Sequence, residues 1–375
     1  MQISKLKLTA LLVAAFVAGG VLSGTLTSLA GLSAGGNEKY KKMDEIYSYI
    51  ESGYYKEPDM DTVMESAYKG LVEGLEDPYS AYMTKDEYSN WVTSLQGEYS
   101  GIGVTFTQDM DGAYIVVSVE KDSPADKAGI EAGDIILKVN GETYDDMDLL
   151  ANAIRGKEGT TVELTYAHEG KKKTSKITRA KIVQKSVSYE MMDDKTAYIA
   201  ITSFIDNTAD DFKAALKTVE NEGAEKLLLD LRDNGGGLLT SCVEIADEFL
   251  DSGVVVYVED RNGKRTDYDA KDGKTDLKTV VLVNENSASA AEILAAALQD
   301  NGFKLVGQTT FGKGIIQSTV ELNDGSALKL TIMQYFSPDG NVIHEKGVTP
   351  DYKVKNKGEK DTQLEKSKDI LKTLS

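Results

Sequence analysis

Apolar positions recur at helical spacing through residues 38–95: Met43, Ile46, Tyr47 and Ile50, then Val63, Ala67, Leu71 and Leu75. Pro58 and Pro78 interrupt the run, so the pattern predicts two or three short helices, a packing or self-association module in which no chemistry is visible. After residue 96 the period changes to two. Gly103 to Thr107, Ala113 to Val119, Ile135 to Val139, Thr161 to Tyr166 and Lys173 to Thr178 predict a small β-rich domain over 96–182. Two helices punctuate it, one started by Pro124 and closed by Gly129, the other from Asp146 to Ile154. Asn140-Gly141 marks a hairpin turn.

Beyond Ser186, strands and helices alternate. Ala197 to Thr202, Lys226 to Leu231, Val280 to Val283, Leu305 to Gly307 and Ala327 to Gln334 read as strands. Asp210 to Glu220, Leu238 to Phe249 and Ala290 to Leu298 read as helices. This order predicts an α/β layered core over 183–355. Residues 356–375 form a charged tail, expected to be helical or frayed.

Residues 1–36 differ in kind. Lys5 and Lys7 precede an uncharged run from Leu8 to Gly36, the pattern of a basic leader followed by an export-type apolar segment. It reads either as a signal peptide, cut after Ala30 or Ala34, or as an uncleaved anchor with its lysines inside, and the anchor is preferred. Both readings place the rest of the chain outside the cytoplasm. The 375 residues suggest two or three domains, and 41% hydrophobic with 27% charged residues is the composition of a globular core. A net charge of −19 argues against nucleic acid as a partner. The single cysteine, Cys242, allows no intramolecular disulfide and no cysteine metal cage, and reads as a buried structural thiol. No metal or cofactor is called for.

The chemistry concentrates in two stretches. Ser289 falls at a strand-to-helix turn, where a hydroxyl can sit beside unpaired helix N-terminal amides. Its usual base is scarce. Only His168 and His344 are present, and each reads as a surface residue. Lys313, between two glycines in an apolar setting, is the better base; burial would bring its pKa from about 10.4 toward 7–8. Ser287 is a rival nucleophile, and Ser289 is preferred because Ala290 can then offer its amide to the developing oxyanion. Gln317, four residues after Lys313, would share a strand face with it and orient the amine. The Gly235-Gly236-Gly237 run opens a helix after a strand and suits an amide cradle. In the β-rich domain, Gly101, Ile102, Gly103 and Val104 could present successive amides to a peptide carboxylate.

In combination these motifs resemble the carboxy-terminal processing peptidases, serine proteases with a Ser–Lys dyad. The resemblance runs from about residue 40 to 355: Leu75 to Met83, Gly101-Ile102-Gly103, Ala132-Gly133-Asp134, Asn140-Gly141, Asp230-Leu231-Arg232, Ser287 to Glu292, Thr310 to Gly314, and Gly347 to Asp351. It implies a crotonase/Clp-protease-like α/β core with an inserted PDZ domain (96–182) and an N-terminal helical segment (37–95) expected to join subunits into a homodimer. It also implies Ser289 as nucleophile, Lys313 as base, Gln317 as orienter, and Gly236 and Ala290 as oxyanion amides. Arg232, Gly235, Gly237, Glu292, Asp300 and Thr310 fall at supporting positions. The expected substrates are proteins or peptides bound through non-polar C-terminal tails, with the PDZ domain gating cleavage. Arg155, after the second PDZ helix, is a candidate sensor of peptide occupancy. The competing classes are a non-catalytic PDZ scaffold and a crotonase-like acyl-thioester enzyme.

Overall fold

The computed structural model describes residues 37–109, 112–271, 273–356 and 360–374. The helical periodicity resolves into α1 (Asn37–Gly53), α2 (Met60–Glu73) and, after the short strand β1 (Ala81–Met83), α3 (Lys85–Leu95). Asp59 caps α2, and Thr84 with Glu87 forms a reciprocal capping box on α3. Pro58 lies between the first two helices and Pro78 in the turn before β1, which is why the chain breaks there. Tyr40, Tyr49, Leu71 and Leu75 are all exposed.

The expected PDZ domain contains β2 (Glu98–Gly101), β3 (Val104–Gln108), β4 (Tyr114–Val119), α4 (Pro124–Lys127), β5 (Ile135–Val139), α5 (Met147–Ile154), β6 (Thr161–His168), β7 (Lys171–Thr178) and β8 (Ala180–Val183). Strands β3 to β7 form one antiparallel meander in sequence order, leaving β3 on an edge. Val116, Val139, Leu150, Val162, Leu164 and Tyr166 fill its own hydrophobic core. Entry and exit strands β2 and β8 pair with each other as a two-stranded stalk.

The core follows with β9 (Val187–Met191), β10 (Thr196–Ile201), α6 (Thr208–Asn221), β11 (Lys226–Asp230), α7 (Leu239–Asp247), β12 (Gly253–Asp260), β13 (Arg265–Ala270), β14 (Lys278–Val283), α8 (Ala290–Asp300), β15 (Lys304–Gly307), β16 (Ile315–Glu321), β17 (Ala327–Phe336), β18 (Tyr352–Lys353) and α9 (Thr362–Thr373). A six-stranded sheet, ordered β18-β15-β14-β11-β10-β9, is parallel except at β9. Its central strands are apolar on both faces: Leu227, Leu229, Val281 and Val283 face α6–α8, while Leu228, Val280 and Leu282 face α9. A second, antiparallel sheet joins β1, β12, β13, β16 and β17. Helices α7 and α8 pack against strands of it, and every residue of α8 from Ala290 to Leu298 is buried. The sequence pattern missed most of this second sheet because its strands are scattered along the chain, from β1 at Ala81–Met83 to β17 at Ala327–Phe336, with the parallel sheet and its helices between them.

The tail is integral to the core. Ile370 and Leu371 of α9 pack on Leu228, Val280, Leu282 and Val306. Among the described residues no helix is long and apolar enough to cross a membrane, and the export-type run lies outside them. Leu371→Ala should cost about 2–4 kcal/mol in a urea melt; an unchanged midpoint would mean that α9 does not cover the sheet in solution.

Candidate active site

The carboxyl ends of β10, β11, β14 and β15 open on one edge of the parallel sheet, where α/β folds assemble their sites. β14 ends at Val283 and the chain turns into α8 at Ser289, whose φ is +56° and ψ −118°. For a non-glycine residue this conformation costs about 1–3 kcal/mol, so neighbours must hold it. Ser287 does part of this: its Oγ donates to the Leu231 carbonyl at 2.7 Å and accepts from Asn284 N–H at 3.0 Å. It is fully buried. The rival nucleophile is therefore a structural link, whereas Ser289 is half-exposed. Asp233 Oδ1 accepts from the side-chain amides of Asn284 and Asn286, both at 2.8 Å, and ties the glycine turn to the serine turn.

The glycine turn then lies directly against Ser289. A Cβ at Gly236 (φ +97°) would come within 2.7 Å of Ala288 O and Ser289 Cβ and 2.9 Å of Ala290 N. At Gly237 (φ +140°) it would meet Phe204 O at 2.0 Å, while Gly235 faces open space. Close approach thus falls to the second and third glycines, not the first. Ala290 N–H stands at the first position of α8, where a helix has no internal acceptor for it. Gly236 N–H, however, donates to Asn234 Oδ1 at 2.8 Å. Asn234 is fully buried, and its Nδ2 donates in turn to Ile201 O. In this conformation only one of the two expected oxyanion amides lacks an acceptor within its own turn.

Glu292, fully buried in the first turn of α8, links the serine and lysine segments. Its Oε2 accepts from Ser289 N–H at 2.9 Å and Lys313 N–H at 2.8 Å; its Oε1 accepts from Gly312 N–H at 2.7 Å and from the Thr310 hydroxyl. Four donors on one buried carboxylate fix two backbones that are distant in sequence. Thr310 Oγ1 also accepts from Val348 N–H at 2.7 Å. From the opposite side the Tyr335 hydroxyl contacts the carbonyls of both Ser289 and Lys313. Tyr335 is fully buried, and burial, followed by the Glu292 charge, pushes its phenol well above the ordinary range, so it stays protonated as a donor. Nothing in the sequence pattern singled it out.

The Lys313 amine lies over the Tyr79 ring, 4.8 Å from its centroid. Among the described residues no hydrogen bond joins it to Ser289 Oγ or to Gln317. Burial and then the charge of Lys329 lower its pKa, and Asp77 and Glu292 oppose them. Gln317 Nε2 donates to Thr331 Oγ1 at 3.1 Å instead. The shared-face argument does not hold, because Lys313 precedes β16 and a register shift falls between Ile316 and Gln317. The helical segment expected to lack chemistry delivers Asp77 and Tyr79 to this amine; its motif was visible, but its landing place was not.

The other supporting residues act at a distance. Arg232 binds Asp230 and forks onto Asp361 at 2.8 and 2.9 Å, anchoring α9. Asp300 receives Ser337 Oγ and Asp339 N–H, fixing the turn after β17. Cys242 is buried under α8, donating to Ala290 O, and burial raises its thiol far out of the reactive range. The histidines are less superficial than expected: His168 Nδ1 lies 2.8 Å from Asp134 Oδ1, and the His344 backbone packs so closely on Gly314 that a Cβ there would meet it at 2.2 Å.

In the PDZ domain the Ile102 side chain belongs to the core, and its carbonyl accepts from Ala125 N–H, so only its backbone amide is left for a ligand. The Gly103 carbonyl accepts from Glu120 N–H, and Val104 opens edge strand β3. Arg155 is exposed at the end of α5; its charge reaches Tyr99 of the stalk.

A PDZ domain on an α/β core, with a serine held at the strained entrance to a buried helix, defines a class of serine peptidases. The comparisons agree. Residues 195–354 match the model of peptidase family S41, residues 100–178 a PDZ domain, and residues 24–87 the N-terminal domain of the activating protease CtpB. The chain is 40% identical over 333 residues to a probable CtpA-like serine protease of Staphylococcus haemolyticus, covering 87% of this chain and 67% of that protein. It is 39% identical over 324 residues to the carboxy-terminal processing protease CtpA of Bacillus subtilis, covering 85% and 69%. The solved photosystem II D1 C-terminal processing protease superposes with a TM-score of 0.56 at 29% identity, over 90% of this chain and 91% of that one. A putative S41 protease from Bacteroides fragilis, 18% identical with a TM-score of 0.57 over 87% of this chain and 96% of that one, shares the fold. The chain belongs to peptidase family S41 and is a C-terminal processing serine protease with a PDZ domain.

Replacing Glu292 by Gln would set an amide NH2 against buried donors. Glu292→Gln should lower the unfolding free energy by about 3 kcal/mol and reduce kcat at least about tenfold with KM little changed, measured by denaturant titration and peptide cleavage. Wild-type values for both would mean that the carboxylate does not hold the site.

Proposed function

We propose that the protein is an exported endopeptidase that uses Ser289 and Lys313 as a dyad to cleave near non-polar C-termini. The observation that carries this reading is the Glu292 carboxylate bonded to both backbones, with Ser289 strained at the helix entrance and a half-buried amine nearby. Neutral Lys313 takes the Ser289 proton as Oγ attacks the scissile carbonyl, then returns it to the leaving amine; water hydrolyses the acyl-enzyme. Ala290 N–H supports the oxyanion, and Gly236 N–H joins once it leaves Asn234. For proton transfer the amine must swing from Tyr79 to Ser289, with Gln317 leaving Thr331 to orient it. This is the catalytic step that tail binding would gate.

The PDZ edge strand β3 supports the tail-binding part, since an extended peptide can add to it with its carboxylate at the Ile102–Val104 amides. The exposed apolar residues of α1 and α2 support a homodimer, and residues 1–36 support export with a retained anchor, or secretion after cleavage. Arg155 is the candidate reporter of tail occupancy, a role supported by its charge acting on Tyr99 of the stalk.

A serine-reactive probe should label the full chain, and both Ser289→Ala and Lys313→Ala should abolish labelling and lower kcat/KM for a tailed peptide by at least about 10³-fold. Persistent labelling of Ser289→Ala would refute the nucleophile assignment. Because the lysine must be neutral, kcat/KM should rise with pH along a limb centred below the ordinary value of about 10.4.

A further inference from the structure

The turn between α2 and β1 touches the proposed base directly. Glu76 has φ +55°, and the turn closes on Asp77, whose Oδ1 accepts from Tyr79 N–H at 3.0 Å and Oδ2 from Ser80 Oγ at 2.6 Å. β1 pairs antiparallel with β17, Ala81 opposite Lys329, and carries the turn onto the second sheet. There Ser80 Oγ accepts from Thr331 N–H at 3.0 Å, and Thr331 Oγ1 accepts from Gln317 Nε2. On its other side the Tyr79 ring underlies the Lys313 amine. One four-residue turn therefore reaches Lys313 directly and Gln317 through Thr331.

We propose that the Asp77–Ser80 turn is a positioning element of the active site, its Tyr79 ring berthing the Lys313 amine and its Ser80–Thr331 link setting where Gln317 rests. The inference deepens the Ser–Lys reading and rests on it. A cation over an aromatic face is attracted by the ring quadrupole, so the berth favours the ammonium and aims it without a competing carboxylate bond. The charged groups facing the amine come from every packed element: Asp77 from the turn, Lys329 from β17 and Glu292 from α8; the buried Tyr335 phenol of β17 lies near Tyr79. Burial and Lys329 favour the neutral amine, while Asp77, Glu292 and the Tyr79 ring favour the charged one. The turn thus supplies two of the three influences that favour the charged amine and hold it in place. Residues 37–83, otherwise a packing module, become part of the catalytic apparatus.

The test compares Tyr79→Phe, Tyr79→Leu and Asp77→Asn in the full chain, reading kcat, KM and the pH limb of kcat/KM on a tailed peptide, with thermal melts as the folding control. Tyr79→Phe keeps the ring and should match wild type within about twofold. Tyr79→Leu keeps an apolar cover but loses the quadrupole. It should lower the plateau kcat about tenfold or more with KM within about twofold, and move the limb about half a pH unit or more toward acid. Asp77→Asn should move the limb in the same direction, and it carries the test should Tyr79→Leu fail to fold. A role confined to stability would lower the melting point in both and leave the limb in place, which would overturn the inference, as would a Phe variant as damaged as Leu. Activity surviving in Lys313→Ala would instead overturn the base assignment, and the inference with it.

Discussion

One carboxylate organises this molecule. Glu292 sits in the first turn of a helix that is buried along its length, so its charge is taken out of water and must be compensated by hydrogen bonds. Three backbone amides and the Thr310 hydroxyl provide them, and those donors belong to the residues whose mutual position matters most. Tyr335 closes the same junction from the carbonyl side. The strain at Ser289 persists because the surroundings over-determine it: Glu292 on its amide, Tyr335 on its carbonyl, Gly236 packed against its Cβ. The helix itself is held between two sheets, so the carboxylate inherits the rigidity of the core.

The proposed reactive ends rest on partners outside the catalytic set. The amine rests on Tyr79, Gln317 rests on Thr331, and Gly236 N–H is engaged by Asn234. Each group has a satisfied alternative partner within its own neighbourhood, so the backbone frame is complete while the side chains are parked. The PDZ domain joins the core through the β2/β8 stalk, and beside β8 the buried Arg179 donates to the last carbonyls of α5 at 2.8 Å.

The sequence revealed local order well. Ala290 to Leu298 declared itself by an unbroken apolar run, and Ser289 by its place before it. The PDZ strands showed through period-two alternation, and Asn140 and Gly141 adopt the positive φ values that the hairpin reading required. The second sheet stayed hidden because its pairings are long-range: β1 meets β17 some 248 residues later, Ala81 opposite Lys329. For the same reason the Asp77–Ser80 turn was visible as a motif but not as a neighbour of Lys313. The tail misled by its charge: Ile370 and Leu371 carry α9 while lysines and acids cover its outer face. Asn234 and Tyr335 gave no signal, because an amide and a phenol show their function only through the groups they meet.

The account depends on an amine that gives up its proton far more readily than a free lysine does. An NMR titration of the Lys313 ε-carbon and ζ-nitrogen, in the full chain carrying Ser289→Ala with a C-terminal tail peptide bound, reads that property at the atom concerned. The account predicts a midpoint well below about 10.4, moving toward neutrality. A midpoint at the ordinary lysine value would contradict it.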